Sequence, residues 1–288
     1  MSNRYVYVDG RFLAWHEASV HAEDRGFQFG DAVYEVIEIR DGRLVDERRH
    51  MDRLERSLAE LRIDAPMSRA AWAPVLREAI RRNRVRDGSI YLQVSRGCSP
   101  RDFLFPPAGT PPTVVVIARH GSRAKVEATA AQGIGIISMP DNRWGRCDIK
   151  TVMLLPASIA KEAARATGAK EAWFVDDKGF VTEGGSSNAW IVDKDGRVIT
   201  RKCDEALLRG ITRTTLIDLL KKDGIELVER PFTIEEAKAA REAFVTSATN
   251  IVMPVVSIDG RPVGNGAPGI LTQRLRERFH SVAETSAA

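Results

Sequence analysis

Cysteine is scarce in this 288-residue chain: Cys98, Cys147 and Cys203 are odd in number, widely spaced and free of any CxxC pair. That excludes a disulfide framework and a cysteine-built zinc knuckle. No run approaches the roughly 18 apolar residues that a membrane helix needs. Met1-Ser2-Asn3-Arg4-Tyr5 has no apolar leader region either, so a cytoplasmic protein without membrane association is expected. Charge of one sign is not in large excess. The net charge is +4, and it is spread along the chain. The densest basic run, Arg77 to Arg86, contains Glu78 and falls on a predicted helix, which makes it a solvated face and not a nucleic-acid surface. HExxH, Walker, GxSxG and strand-following GxGxxG motifs are all missing. The five histidines are scattered. No metal site or Ser-His-Asp triad is expected.

What is present is an ordinary globular composition, 43% hydrophobic and 28% charged, at a length that suits one large or two medium domains. Tyr5 to Phe12 reads as a hairpin turning at Asp9-Gly10. Strands are expected at 33–39, 89–95, 113–118, 134–139, 171–175, 243–246 and 255–259. Met51, Leu54, Leu58 and Leu61 recur at helical spacing, which places His50 and Arg53 in the first turns of an amphipathic helix over 48–62. Further helices are expected after a Ser68 cap, over 155–167, near Thr212, at the Thr233-x-x-Glu236 capping box and from about Gly269. A second hairpin turns at Asp195-Gly196. Prolines 106, 107, 111 and 112 and a polar stretch after the 113–118 strand suggest a boundary. The expectation is an α+β fold with a smaller domain over 1–119, a linker over 120–125 and a larger domain over 126–288. Glu284 to Ala288 reads as a frayed tail.

Three segments look unlike scaffold. In Asn142-Arg143-Trp144-Gly145-Arg146-Cys147-Asp148-Ile149-Lys150, the lysine follows an apolar residue and lies in the field of two arginines. Desolvation and like charge would both favour its neutral amine, as an imine-forming lysine requires. Alone, it would pass for a surface lysine. Val181-Thr182-Glu183-Gly184-Gly185-Ser186-Ser187-Asn188 sets a carboxylate before small residues that let a ligand approach the backbone, although a Gly-Ser turn reads the same way. Leu208-Arg209-Gly210-Ile211-Thr212-Arg213 has a glycine leading into a helix, whose first amides can hold an anion.

Together these segments resemble the fold-type IV pyridoxal-phosphate enzymes. The resemblance runs in order through Arg25-Gly26-Phe27-Gln28-Phe29-Gly30-Asp31, Val33-Tyr34-Glu35-Val36, His50-x-x-Arg53-Leu54, Ser99-Pro100-Arg101, Cys147-Asp148-Ile149-Lys150, Thr182-Glu183-Gly184, Gly210-Ile211-Thr212-Arg213 and Phe244-Val245-Thr246-Ser247. It implies a two-domain fold with pyridoxal 5'-phosphate between the domains. It further implies a Schiff base on Lys150, Glu183 against the pyridine nitrogen, and the phosphate on Arg53 and the amides of Ile211 and Thr212. Where the family has a phosphate-binding threonine this chain has Ala248, and Ser247 or Thr249 stands in.

Val33-Tyr34-Glu35-Val36 is similar to the D-amino-acid aminotransferase version of its strand. The resemblance then gives Tyr34, His50 and Arg101 to the substrate, with Arg101 reaching across from the partner of a homodimer. The expected substrates are amino acids and 2-oxo acids: a D-amino acid gives its amino group to 2-oxoglutarate. Phe103 stands where D-specific enzymes commonly carry histidine, which points toward apolar substrates or amines. Gly185, in place of a frequent serine, would widen the pocket. A branched-chain L-amino-acid or (R)-amine transaminase, or a lyase resembling aminodeoxychorismate lyase, are the alternatives on the same scaffold.

Overall fold

The computed structural model describes residues 4–286. The chain divides into two compact units. The first runs to Arg123 and takes in Ile149–Met153 and the chain from Glu284 on; the second comprises Ala124–Asp148 and Leu154–Ala283. The first division, between Arg123 and Ala124, falls inside the expected 120–125 linker, but a single cut does not give the two later stretches that return to the first unit. His120 ends a strand, a helix begins at Arg123, and the Lys150 segment returns to the first unit.

The first unit is built on a seven-stranded, wholly antiparallel sheet. Its order is Thr285–Ser286, Arg43–Val45, Ala32–Arg40, Gly88–Ser95, Thr113–His120, Tyr5–Val8 and Arg11–Ala14. Strict alternation creates two faces. Val33, Ile37, Ile39, Ile90, Leu92 and Val94 are buried, whereas Tyr34, Tyr91 and Gln93 occupy the opposite phase. The helices Glu47–Glu60 and Arg69–Asn83 lie against this sheet. The first hairpin turns as expected through Asp9 and Gly10, both at positive φ, the two-residue turn whose twist suits paired strands.

The second unit holds a nine-stranded mixed sheet, in which Ile134–Pro140 runs parallel to both Ile251–Ile258 and Glu171–Val175. One core gathers Trp173, Val181, Ile191, Phe232 and Val245. A second stacks Trp190 on Phe244, ring centroids 5.5 Å apart, beneath the helices Ile211–Lys222 and Ile270–Phe279.

Several elements differ from the expectations. Arg25–Phe29, for which no element was expected, is a short helix; Asp24 caps it by accepting from the amides of Gly26 and Phe27. The polar stretch after the 113–120 strand runs into the helix Arg123–Gln132. The strand expected at 255–259 begins earlier, at Ile251. Ser68 does stand at a helix N-cap, but its side chain makes no capping hydrogen bond. The expected frayed tail is ordered through Ser286, while Ala287 and Ala288 lie outside the described residues. Thr285–Ser286 pairs with Leu44 and Val45, the Glu284 amide donates to Asp46, and Arg48 holds the Glu284 carboxylate. Among the described residues, no helix is long and apolar enough to cross a membrane.

Candidate active site

The chemistry-bearing residues fall into two sets, one in each unit. In the first unit, the segment Lys150–Val152 lies along the start of the Ala32–Arg40 strand. The Tyr34 amide donates to the Lys150 carbonyl at 2.9 Å, Val33 bridges Thr151, and the Val152 amide donates to Ala32. Pinned on both sides, Lys150 carries its Nζ 4.3 Å from the centre of the Tyr34 ring. That is a cation–π distance. Tyr34 in turn faces Tyr91, ring centroids 5.6 Å apart, and the Tyr91 hydroxyl donates to Gln93 Oε1. Burial, reinforced by the neighbouring Tyr34, pushes the Tyr91 hydroxyl up to about 12, so it stays a neutral donor. Neither Tyr91 nor Gln93 was singled out from the sequence. The polar phase of Ser89-x-Tyr91-x-Gln93, aligned with Tyr34 by strand pairing, is the signal that would have found them.

Behind Tyr34, on the core side of the same strand, lies Glu35. Its carboxylate accepts from Arg53 Nε and Nη2, both at 2.7 Å, and from His50 Nδ1 at 2.7 Å. Burial alone would raise the Glu35 carboxyl, but Arg53 and His50 outweigh it and hold it down at about 2. Burial lowers His50, which is therefore neutral and donates its Nδ1 proton to Glu35. His50, expected at the substrate, is 3% exposed; it braces Glu35, and through it Arg53. The fork of Arg53 is oriented along its Nε–Nη2 edge by this carboxylate.

Arg101 sits on an exposed loop, its guanidinium 5.1 Å from the Phe29 ring and 5.8 Å from Phe103. Phe103 thus gives Arg101 an apolar wall.

In the second unit, Glu183 lies in the strand Val181–Gly184 and accepts hydrogen bonds from Arg143 Nη1 at 2.5 Å, from Asn188 Nδ2 at 3.1 Å and from the Leu208 amide at 3.1 Å. Arg143 is itself forked onto Asp141, at 2.9 and 2.7 Å, and Asp141 accepts from Thr182. Burial would raise the Asp141 carboxyl, yet Arg143 and Thr182 bring it below its usual range. Arg146 pairs with Asp148 at 2.9 Å. The two arginines whose field was expected to act on Lys150 are therefore not bare cations.

Asn188 also donates to the Leu208 carbonyl at 2.8 Å, tying the Glu183 strand to the loop that enters the helix Ile211–Lys222. Gly210 is that helix's N-cap, with no side chain capping it, so the Ile211 and Thr212 amides lie in the first turn, which has no intrahelical acceptors. Ser247 begins a turn in which its Oγ accepts from the Asn250 amide, and Ile251 follows at a φ of +60°, a costly conformation for a β-branched residue.

Gly185 follows the strand that carries Glu183. A methyl there would lie 3.1 Å from Glu171 Oε1 and 3.2 Å from Lys161 Cγ. Buried Glu171 accepts from Lys161, Ser186 and Ser187 and holds the turn that follows Glu183, a brace the sequence did not reveal.

The two sets hold an amine beside an aromatic ring, a carboxylate fixed by hydrogen-bond donors, an oriented guanidinium and a helix start with open amides. Among the described residues no cluster of His, Cys, Asp and Glu is suited to a metal. The donor chemistry fits an aldehyde, a pyridine nitrogen and a phosphate dianion.

Comparison with known proteins agrees. The chain is 37% identical over 281 residues to the D-alanine aminotransferase of Staphylococcus haemolyticus, covering 97% of this chain and 98% of that one. It is 40% identical over 271 residues to the D-alanine aminotransferase of Bacillus licheniformis, covering 94% of each. The branched-chain amino acid aminotransferase of Escherichia coli superposes with a TM-score of 0.88 at 27% identity, over 98% of this chain and 94% of that one. The branched-chain aminotransferase of the thermophilic archaeon Thermoproteus uzoniensis, solved with norvaline, gives a TM-score of 0.85 at 25% identity, over 99% of each chain. Residues 32–258 match the family amino-transferase class IV, and with this coverage the chain belongs to the class IV aminotransferases.

Proposed function

We propose that this protein is a pyridoxal-phosphate-dependent D-amino-acid aminotransferase that moves the amino group of a D-alanine-like substrate to 2-oxoglutarate, releasing a 2-oxo acid and D-glutamate. The observation that carries the reading is the 37–40% identity, over nearly the whole chain, to D-alanine aminotransferases. The branched-chain enzymes share the fold at 25–27% identity, so shape alone does not choose between the two substrate classes.

In this reading, Lys150 Nζ would hold pyridoxal phosphate through its aldehyde and would take and return the proton at the substrate Cα. The bound cofactor supplies an electron sink for the charge left on Cα. Glu183, locked by Arg143, Asn188 and the Leu208 amide, holds the proton on the ring nitrogen. Arg53, aimed by Glu35, takes the phosphate with the Ile211 and Thr212 amides and the hydroxyl of Ser247 or Thr249. Arg101 and Tyr34 bind the α-carboxylate and thereby set which face of Cα meets Lys150. The Arg101 loop exposes Phe103 and Leu104 at 80% and 75%, an apolar surface that a second copy of the chain would cover. A homodimer sharing this loop is part of the reading.

The test offers D-alanine and L-leucine separately with 2-oxoglutarate and assays the oxo acid and the chirality of the glutamate formed. Pyruvate with D-glutamate is expected. Turnover of L-leucine alone overturns the D-specific reading, and repeated pyruvate release from aminodeoxychorismate with no amino acceptor identifies a lyase.

A further inference from the structure

The Arg25–Asp31 segment has no part in the chemistry above, yet it contains a densely bonded cluster of buried charges. Asp31 receives Arg25 Nε at 2.8 Å, and Arg96 Nε and Nη2 at 2.8 and 2.9 Å. The side chains of Arg25, Asp31 and Arg96 are 4%, 10% and 9% exposed. Two guanidinium groups thus share one carboxylate away from water, an arrangement that persists only if carbonyls absorb the remaining positive charge. The carbonyls come from two places. Arg96 donates to Leu61 and Arg62 at the end of the helix Glu47–Glu60. Arg25 Nη1 donates to Asp102 at 2.8 Å and Leu104 at 3.2 Å.

Those last two carbonyls flank Phe103, and the first of them belongs to the residue after Arg101. The same loop is gripped through its rings: Arg96 lies 3.7 Å from the centre of Phe105, and Phe103 meets Phe29 edge-on at 5.8 Å. Phe29 has Arg25 at 4.6 Å and Arg101 at 5.1 Å. One buried ion cluster therefore fixes the backbone on the C-terminal side of Arg101 and the ring on which its guanidinium rests.

We propose that Arg25, held by Asp31, is a positioning residue for the carboxylate-binding arginine: it moulds the 101–105 loop so that Arg101 is preset before substrate arrives. The inference rests on the assignment of the α-carboxylate to Arg101 made above. An exposed arginine on a free loop would lose rotamer and backbone freedom with each substrate bound; a loop clamped at two carbonyls has lost it on folding. The clamp touches neither Lys150 nor Glu183, so it acts on substrate binding and not on the rate of the bound complex.

The test compares the wild-type holoenzyme with Arg25→Met and Arg101→Ala. Arg25→Met removes both carbonyl clamps and leaves Asp31 and Arg96 as a balanced, bidentate pair. Expected is a rise in KM for D-alanine of roughly ten- to a hundredfold with kcat changed by less than about threefold. Cofactor content stays unchanged, and trypsin cleaves faster after Arg101. A general loss of folded protein would instead lower kcat at constant KM. If Arg25→Met does not fold, Arg25→Lys makes the same comparison: its ammonium keeps the charge on Asp31 but cannot hold both carbonyls in one plane. Should Arg101→Ala raise KM while the Arg25 variant leaves KM and cleavage as in wild type, the positioning role is overturned. If Arg101→Ala itself leaves KM unchanged, the carboxylate assignment is what fails.

Discussion

At the scale of single residues, the first unit's site rests on a charge where the alternation calls for an aliphatic side chain. Glu35 shares the core side of its strand with Ile37 and Ile39, and it is tolerated there because His50 and Arg53 occupy the buried face of the facing helix. A carboxyl held below its ordinary value stabilises the folded state above that value and loses the contribution as pH falls toward its folded value. For Glu35 the window runs from the ordinary 4.5 down to about 2. The linked stability is about 3 kcal/mol, from about 1.4 kcal/mol per pH unit. Glu35→Gln is therefore expected to destabilise by about 3 kcal/mol at neutral pH, leaving buried Arg53 without its counter-charge. Urea unfolding across pH should show the gap between variant and wild type closing as the pH approaches 2. A gap constant across that range would mean that Glu35 is not the ionised partner described.

At the scale of elements, what could be read from the sequence was periodicity, and what could not was anything fixed by a single tertiary partner. The strand Ala32–Arg40 and the helix Glu47–Glu60 carry enough alternating or helical repeats to declare themselves. Thr285–Ser286 is too short to have a period, and what holds it and the residue before it is Asp46, Glu47 and Arg48, which are far away in sequence. The helix Arg25–Phe29 has one local signal, its Asp24 cap, and the two glycines of the segment masked it. The site follows the same rule. Lys150 and Glu183 were singled out by the order of their motifs; Arg143, which bonds the Glu183 carboxylate, was read as a bare charge, and Asn188 stood in the Glu183 segment without its bond to that carboxylate being legible.

Asn188 also couples two elements. It bonds Glu183 and the loop before the helix Ile211–Lys222, and a methyl added at Gly210 would overlap its Oδ1. Gly210 has an ordinary φ of −60°, so Gly210→Ala costs no backbone strain and acts by displacing Asn188. Weakening of the two hydrogen bonds that Asn188 donates, about 1–2 kcal/mol in all, should weaken cofactor binding roughly tenfold. Titration of the apoprotein with pyridoxal phosphate measures this directly; an unchanged dissociation constant would show that Glu183 and the helix start are independent.

For the whole molecule, the proposed homodimer makes a prediction that geometry within one chain cannot imitate. Lys150 and Arg101 both belong to the first unit of their own chain, whereas the functional reading pairs Lys150 with the Arg101 of another copy. Two variants, Lys150→Ala and Arg101→Ala, each have two damaged sites per dimer. In a mixed dimer with a shared loop the damage segregates: one site has lost both groups, and the other keeps Lys150 from one chain and Arg101 from its partner. With random exchange about half the dimers are mixed and each carries one intact site of two, so mixing two nearly inactive proteins should restore about a quarter of wild-type activity. If each chain instead used its own Arg101, every site in the mixture would have one lesion and no activity would return. Unfolding and refolding the two variants together, followed by the D-alanine assay, distinguishes the cases, and sedimentation confirms that the refolded species is a dimer before activity is compared.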